Sequence, residues 1–339
     1  MSSATSSQCS SSLSPERVQS CASSSTSCIG DSNPPTSNQV RTGRNNSILV
    51  TSQLSRTDFV DYKQIYRGRY SGIFLCKFKN TGRDVVVKVY PKAIVPSKRI
   101  RAVKREAAIC RKIKYSSSTS YLSGSVELLG EFEDSTAAYI VQEYCKGRDL
   151  LCQIKANGGR VKEEYASTRI LQPILRTLTG LHSLGVIHRD IKPENILVSQ
   201  FGEVKIGGFA LALDRTITRP ILRVGTLDCM APEVVMSPSL EETSYSGVHN
   251  LIGYDEKVDV WAVGVLAYEV LVGRPPFSVS GDPVQTSTRI LRGARAPFPE
   301  GLSAEAQDFI SQALTLRPNE RPSTMALLLH PWIAKQSDA

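Results

Sequence analysis

The chain has 339 residues, with 41 Lys and Arg against 32 Asp and Glu, a formal net charge of +9 and 41% hydrophobic residues. This size and apolar content suffice for one large domain or two lobes with substantial cores. No run approaches the roughly 20 consecutive apolar residues of a membrane helix, so no membrane partner is predicted. The N-terminus lacks the apolar segment of a secretory signal. The eight cysteines form no C-x-x-C pair, which indicates free thiols in a reducing compartment.

The N-terminal segment, residues 1–57, consists mainly of Ser, Thr, Asn and Pro and has almost no large apolar residues. Such a segment cannot bury enough surface to offset the entropy lost on ordering, so we predict a disordered tail. Its serine-rich, acid-poor composition is also that of an organelle transit peptide. Because an arginine-rich amphipathic helix is missing, we favour a flexible, phosphorylatable tail.

Short β-type runs begin at residue 58. FVDYKQIYRG, IFLCKF and DVVVKVY predict three strands, and SVELLGEFED and TAAYIVQEYC predict two more. After residue 147 the signals become mostly helical, as in VKEEYASTRILQPILRTLTGLHSLG, where apolar residues recur at spacings of three and four. A strand-rich part followed by a helix-rich part predicts an α+β fold with a cleft at the junction.

Positive charge is concentrated in the segment SKRIRAVKREAAICRKIK, residues 97–114. Its apolar residues recur at helical spacing, which predicts an amphipathic helix with a solvated basic face. The chain has no zinc-ligand spacing and no basic motif with interleaved aromatic residues, so no nucleic-acid partner is predicted. The apolar positions are Ile100, Val103, Ala107 and Cys110.

The stretch HRDIKPEN, residues 188–195, combines three functional groups at fixed spacing. Asp190 is placed to accept a hydroxyl proton or to orient a nucleophile, and Lys192 can neutralise a transferring phosphoryl group. Asn195 offers a carbonyl oxygen to a metal ion. An ordinary polar turn with Asp190 capping a helix is the structural alternative, and the agreement with other motifs makes it the weaker interpretation.

With these residues the chain resembles the eukaryotic protein kinase family over about residues 58–334. The resemblance implies a bilobal fold, with a small lobe at 58–142, a large lobe at 143–334 and a short tail at 335–339. DVVVKVY is similar to the third strand of the family, which makes Lys88 the lysine that binds the nucleotide phosphates. KREAAICRKI then supplies Glu106, the helix carboxylate expected to pair with Lys88.

The resemblance also implies an ATP site between the lobes, with Mg²⁺ as the usual metal ion. YIVQEYCKGRD resembles the hinge, in which Gln142 is the gatekeeper residue. Glu143 and Cys145 are expected to present backbone groups to adenine, and Asp149 to meet the ribose. The complete set of predicted nucleotide-binding residues is Gly68, Ser71, Ile73, Val86, Lys88, Gln142, Glu143, Cys145, Asp149 and Leu197.

GTLDCMAPE, residues 225–233, resembles the end of the activation segment in the Aurora-like branch of the family. The resemblance places Thr226 near Asp190, which together with Lys192 is the serine/threonine version of the motif. It further implies that Asp259 anchors the catalytic loop and that Arg321 pairs with Glu233.

Two departures from the family pattern bear on activity. Gly208 stands where the family has the aspartate that coordinates magnesium, leaving Asn195 as the one predicted metal ligand. We therefore expect a weakened metal site, with Mn²⁺ as an alternative ion. The glycine-rich loop YRGRYSGIF keeps Gly68 but has Tyr66 and Ser71 in place of its other glycines. The two functional hypotheses are a kinase with an impaired metal site and a pseudokinase that acts as a nucleotide-binding or scaffolding module.

Three acidic residues, Asp149, Glu194 and Glu269, match positions at which related kinases hold substrate arginines. We expect a protein substrate with basic residues near the acceptor hydroxyl. The chain is expected to be a monomer or to be regulated by a protein partner, in the cytoplasm or the nucleus.

The activation segment departs from the Aurora-like pattern at its phosphorylation site. Relatives carry a phosphorylated threonine three residues before the glycine of GTLD, and this chain has Leu222 there. Thr216 and Thr218 lie nearby but do not match by register. The long insert at 236–257 is either a docking surface or a loop.

Overall fold

The computed structural model describes residues 54–116, 120–244 and 252–334. Most of the predicted disordered tail, the end of the chain and the centre of the long insert lie outside these residues. The last four positions before 58, predicted as tail, are described and form a capped turn. In this turn the Ser55 N–H donates to Asp58 Oδ2 at 2.7 Å.

The first lobe is built on a five-stranded antiparallel sheet in the order β1-β2-β3-β5-β4. Because successive side chains of a strand point to opposite faces, β3 separates two environments. Val85 and Val87 are buried on the outer face of the sheet, while Lys88 and Tyr90 alternate with them. The strands are β1 Phe59–Arg67, β2 Gly72–Phe78, β3 Asp84–Pro91, β4 Leu128–Glu133 and β5 Ala137–Glu143.

One long helix, α1 (Ser97–Tyr115), follows β3, as the basic amphipathic segment predicts. Cys110 is buried on its inner face, but Ile100, predicted on the same apolar stripe, is 40% exposed. The basic face is also less solvated than predicted, because Lys112 Nζ lies 2.5 Å from Asp214 Oδ2 and Arg111 pairs with Glu131. These pairs tie α1 to both lobes.

The second lobe is mostly helical and surrounds α6 (Lys257–Val272). Nearly every residue of α6 is buried, including Trp261 and Tyr268, as expected for a helix that is apolar on all sides.

Two short strand pairs, β6-β9 and β7-β8, complete this lobe. Residues 188–195 lie between β6 and β7, and Gly208 lies between β8 and β9. The strands are β6 Val186–Ile187, β7 Ile196–Val198, β8 Val204–Ile206 and β9 Leu213–Asp214. The helices are α2 Leu150–Ala156, α3 Glu163–Tyr165, α4 Gln172–Ser183, α5 Pro232–Val235, α6, α7 Pro283–Arg292, α8 Ala304–Ala313, α9 Thr324–Leu328 and α10 Pro331–Ala334. A π-helical turn, Ala166–Leu171, joins α3 to α4. In the described part of the chain, no helix has the length and apolar character that a membrane crossing requires.

The expected ion pair between Glu233 and Arg321 is present and joins the end of the activation segment to the base of the second lobe. Arg321 Nη1 donates to Glu233 Oε1 at 2.8 Å, and Nη2 donates to Oε2 at 3.2 Å. The Arg321 side chain is 0% exposed and that of Glu233 is 15% exposed. Arg321 also donates to the carbonyl oxygens of Thr315 and Lys257.

Replacement of Arg321 by Ala is expected to lower the free energy of unfolding by about 3–5 kcal/mol, because it leaves the Glu233 carboxylate buried without its partner. Urea denaturation of the two proteins measures the difference. Arg317→Ala is the matched control, since Arg317 pairs with Glu320 at the surface with 80% of its side chain exposed. That change is expected to leave the free energy of unfolding close to the wild-type value, because an exposed ion pair contributes little. Equal losses in both variants would contradict a structural role for the buried pair.

Candidate active site

The catalytic loop brings three of the predicted residues into one hydrogen-bonded group. Asn195 Nδ2 donates to the Asp190 carbonyl oxygen at 2.7 Å and to Asp190 Oδ2 at 2.8 Å. Thr226 Oγ1 donates to Asp190 Oδ1 at 2.9 Å. Lys192 Nζ donates to Thr226 Oγ1 at 2.6 Å and lies 3.3 Å from Asp190 Oδ2. A carboxylate, an ammonium group and the activation segment therefore meet at one point.

Asp259, at the start of α6, holds the backbone of this loop. Its Oδ2 accepts from the His188 N–H at 2.9 Å, and its Oδ1 accepts from the Arg189 N–H at 2.8 Å. Burial acts against the carboxylate charge, but His182 and these backbone donors outweigh it and lower the pKa of Asp259. The loop conformation includes a positive φ of 68° at Arg189, which a bulky residue adopts only when its surroundings fix it.

The smaller lobe contributes Lys88 and Glu106. Lys88 Nζ donates to Glu106 Oε1 at 2.8 Å, and Tyr90 donates to the other oxygen, Oε2, at 2.5 Å. Burial acts against the ammonium charge, but the nearby Glu106 carboxylate outweighs it and raises the pKa of Lys88. The ammonium group is therefore charged at neutral pH and fixed in direction.

A continuous path of contacts joins these two halves. The short turn Phe209–Leu211 packs against α1, the helix that carries Glu106. Phe209 is 1% exposed and contacts His188 edge-on, with ring centroids 5.1 Å apart. Gly208, directly before this turn, lies against Asn195. These contacts therefore connect α1, which carries Glu106, to the catalytic loop that carries Asp190 and Asn195.

Gly208 stands at the position where the resemblance implies an aspartate that binds magnesium. Gly208 has no donor atom, and its backbone is left-handed, with φ 76° and ψ 38°. A Cβ placed on Gly208 would lie 2.4 Å from both Cγ and Oδ1 of Asn195. The Asn195 amide thus fills the space through which an aspartate side chain would extend. Within the described part of the chain, no cluster of three His, Cys, Asp or Glu side chains could hold a metal ion.

Asp214 does not replace the missing carboxylate. It lies on β9, and its side chain accepts hydrogen bonds from Lys112 at 2.5 Å and from the Thr216 hydroxyl at 2.6 Å. Burial acts against the charge, but these donors outweigh it and lower the pKa of Asp214. The carboxylate is ionised and already paired, and its function is to connect α1 to the activation segment.

The hairpin between β1 and β2 takes the place of the glycine-rich loop. The Gly68 N–H donates to the Ser71 carbonyl oxygen at 2.8 Å. A Cβ on Gly68 would lie 3.2 Å from Ser71 Oγ and from a ring carbon of Tyr66. Because this N–H bonds within the hairpin, the conformation offers fewer backbone donors to a phosphate than an open glycine loop does.

The predicted nucleotide-pocket residues lie on adjacent strands and on the segment that joins the lobes. Ile73 pairs with Lys88 between β2 and β3, and Val86 pairs with Gln142 between β3 and β5. Leu197 lies on β7, which forms a bridge with Asp149. One Asp149 oxygen, Oδ1, caps α2 by accepting from the Cys152 N–H at 2.8 Å.

The hinge has an ionic contact that sequence reasoning did not predict. Glu143 Oε1 accepts from Lys205 Nζ at 2.5 Å and from the Glu127 N–H at 2.8 Å. The side chains of Glu143 and Lys205 are only 13% and 15% exposed. The Cys145 carbonyl oxygen accepts from the Arg148 N–H at 3.2 Å. The connecting segment is therefore anchored to β8.

Two more residues of the site were missed from the sequence, Tyr90 and Tyr254. Tyr90 follows Lys88 by two positions, so strand periodicity alone could have placed it on the same face. Tyr254 binds Arg189 across 65 positions of the chain, with Arg189 Nη1 donating to its hydroxyl oxygen at 3.0 Å. No local pattern signals such a contact.

Comparison with known proteins places the chain in a family. The protein kinase domain model matches residues 59–333. The chain is 34% identical to an Aurora kinase of Schizosaccharomyces pombe over 278 residues, which is 82% of this chain and 72% of that protein. It is 32% identical to Aurora kinase C of Mus musculus over 281 residues, or 83% of this chain and 93% of that protein. The chain therefore belongs to the protein kinase family, as a serine/threonine kinase similar to the Aurora branch.

Proposed function

We propose that the chain transfers the γ-phosphoryl group of ATP to Ser and Thr hydroxyls of proteins, and that its metal site is weakened. The observation that carries the proposal is the hydrogen-bonded group of Asp190, Lys192, Asn195 and Thr226. In the proposed roles, Asp190 orients the acceptor hydroxyl and takes its proton, and Lys192 neutralises the transferring group. Lys88, positioned by Glu106, binds the nucleotide phosphates.

The weakened metal site follows from the fit of Gly208 and Asn195. Hard divalent cations prefer anionic oxygen ligands, and the position closest to Asn195 offers none. Loss of one preorganised electrostatic group typically lowers a rate by about a hundredfold to a thousandfold. We therefore expect slow transfer, with Mn²⁺ supporting it at least as well as Mg²⁺.

A second candidate function is a catalytically impaired module that binds nucleotide or a protein partner without transferring phosphate. The contact between Gly208 and Asn195 favours it. The Asn195 amide, which would bind metal in an active kinase, fills the space that an aspartate side chain at position 208 would need. In this function Lys88 and the hinge retain their nucleotide contacts, and the ordered activation segment serves as a binding surface.

A phosphotransfer assay with radiolabelled ATP separates the two functions. We expect transfer with Mn²⁺ or Mg²⁺ that disappears in the Asp190→Asn variant. Transfer that is absent under both metal ions would reject the enzyme and leave the module. A thermal shift with ATP, measured with and without metal, then distinguishes a nucleotide-binding module from an empty one.

The substrate site is proposed to favour basic residues near the acceptor. Glu269 lies on α6, where burial and the neighbouring carboxylates of Glu194 and Asp228 raise its pKa to about 7. Three acidic groups that repel one another in this way gain stability from a cationic ligand. An arginine side chain of the substrate supplies that charge.

Binding of an arginine-containing peptide is expected to strengthen as the pH rises from 6 to 8. The Glu269 carboxyl is protonated and neutral below its raised pKa of about 7, so the attraction is lost as the pH falls. Fluorescence anisotropy of a labelled peptide measures binding without requiring phosphotransfer. The Glu269→Gln variant is expected to bind weakly with little pH dependence, whereas Glu300→Gln, at an exposed position, behaves as wild type. Equal binding of a peptide with norleucine in place of arginine would contradict the preference.

The proposed setting of this activity is the cytoplasm or the nucleus. The chain is proposed to act as a monomer or under the control of a protein partner. Size-exclusion chromatography with light scattering tests the oligomeric part of this proposal.

A further inference from the structure

The activation segment is held against the catalytic loop by a tyrosine hydroxyl. Tyr254 lies near the end of the long insert at 236–257, and the residue is 9% exposed. Its hydroxyl accepts from Arg189 Nη1 at 3.0 Å and donates to the Leu222 carbonyl oxygen at 2.8 Å. One neutral group therefore connects the arginine of the catalytic loop to the middle of the activation segment.

The backbone supports the same connection. The Tyr254 N–H donates to the Pro220 carbonyl oxygen at 2.9 Å, so two bonds join Tyr254 to the segment that contains Leu222. The preceding residue, Gly253, lies so close that a Cβ there would be 3.0 Å from Arg219 Nε. The end of the insert thus lies in close contact with the activation segment at Arg219 and Pro220.

Arg189 extends the connection to the start of the activation segment. Its Nε donates to the Leu211 carbonyl oxygen at 2.7 Å, and its backbone N–H is held by Asp259. The guanidinium group is therefore bonded to the start of the segment directly, at Leu211, and to its middle through Tyr254, at Leu222. Leu222 is also the position at which Aurora-like relatives carry the phosphorylated threonine that this chain lacks.

We propose that Tyr254 is a positioning residue that orders the activation segment without phosphorylation. The phenol hydroxyl does what a phosphate on the segment would do, because it accepts a hydrogen bond from Arg189 while being tied to the segment itself. A leucine at position 222 is compatible with this arrangement, since only its backbone carbonyl oxygen is used. The inference concerns regulation of the proposed kinase site and rests on that proposal for its functional meaning.

One observation supports a different arrangement, in which an anion completes the site. Arg105 of α1 has a buried Nε with no hydrogen-bond partner among the described residues. Burial and the nearby positive charge of Arg189 lower the pKa of Arg105. A phosphate from a residue such as Thr218 could neutralise both guanidinium groups. The Tyr254 arrangement is favoured because Arg189 already has acceptors at Leu211 and Tyr254. Among the described residues, Arg105 makes no hydrogen bond to the activation segment.

Hydrogen exchange followed by mass spectrometry on the full chain tests the proposal. Tyr254→Phe keeps the ring and removes the hydroxyl, and exchange of the amides at 211–224 and 252–258 is expected to become about tenfold faster or more, as for the loss of a hydrogen bond to a charged group. Peptides from α6 and α8 are expected to exchange at the wild-type rate. Tyr165→Phe, at an exposed position, is the matched control and leaves all peptides unchanged.

Two further arms distinguish the hydroxyl from an anion. Treatment of the wild-type chain with a phosphatase, checked by intact mass, is expected to leave exchange of 211–224 unchanged, and so is Arg105→Gln. Faster exchange after either treatment, or wild-type exchange in Tyr254→Phe, would overturn the proposal. Hydrogen exchange does not depend on phosphotransfer, so it tests the role of Tyr254 even if the chain is inactive. The phosphotransfer assay tests the proposed kinase function separately.

Discussion

Gly208→Asp is expected to make the chain a faster, magnesium-dependent kinase. The new carboxylate adds the anionic oxygen ligand that the cleft lacks, and the gain is expected to be about 10²–10³-fold in transfer rate, the usual worth of one preorganised electrostatic group. A phosphotransfer assay with ATP and Mg²⁺ measures it. ATP is also expected to raise the melting temperature of this variant more strongly with Mg²⁺ than without.

The same substitution has a structural cost that the sequence alone does not reveal. Its Cβ would lie 2.4 Å from Asn195 Cγ, so the amide must move and weaken its bonds to Asp190, at a cost on the order of 1–3 kcal/mol. The left-handed φ of 76° adds strain, because side chains rarely adopt this region, although Asp does so more often than most. Without metal, the variant is therefore expected to melt at a lower temperature than wild type.

Gly208→Ala is the matched control for both effects. It introduces the same Cβ at the same φ but no metal ligand, so it is expected to lose stability without gaining transfer. If Asp and Ala variants behave alike in every metal ion, the defect does not lie in the missing carboxylate. The structure then supports the binding-module function, with the Asn195 amide as a fixed part of the cleft.

The sequence predicts the parts of this site that are set by spacing within a motif. Asp190, Lys192 and Asn195 occupy one loop, so their proximity follows from a few bonds of chain. The expected pairing of Lys88 with Glu106 is present because a strand and the next helix carry both residues in a fixed order. Local periodicity and the spacing of residues within a motif are therefore enough to predict these arrangements.

Contacts between distant segments could not be predicted in the same way. The Tyr254 hydroxyl and Arg189 are 65 positions apart in the chain, and Lys205 and Glu143 are 62 positions apart. The sequence shows that Gly208 lacks a carboxylate, but not that the Asn195 amide fills the space. Each of these depends on tertiary packing, which local propensity does not encode.

Loss of the Asp190 carboxylate is expected to abolish phosphotransfer and to leave nucleotide binding intact. In Asp190→Asn an amide replaces an oxygen that accepts from Asn195 Nδ2 or Thr226 Oγ1, at 2.8 and 2.9 Å. The amide cannot take a proton from the acceptor hydroxyl, and this function is typically worth about 10²–10⁴-fold in rate. ATP affinity is expected to stay near wild type, because Lys88, the proposed phosphate ligand, is on the other lobe.

This prediction is best measured in the Gly208→Asp background, where the transfer rate is high enough to follow its loss. The double variant is expected to bind ATP and Mg²⁺ as well as Gly208→Asp does. Its transfer rate is expected to be about 10²–10⁴-fold lower, because the base is missing. Glu320→Gln, an acid-to-amide change on a side chain that is 57% exposed, is the control and keeps the full rate. If the double variant keeps its rate, Asp190 is not the base, and the hydrogen-bonded group around Thr226 has only a structural function.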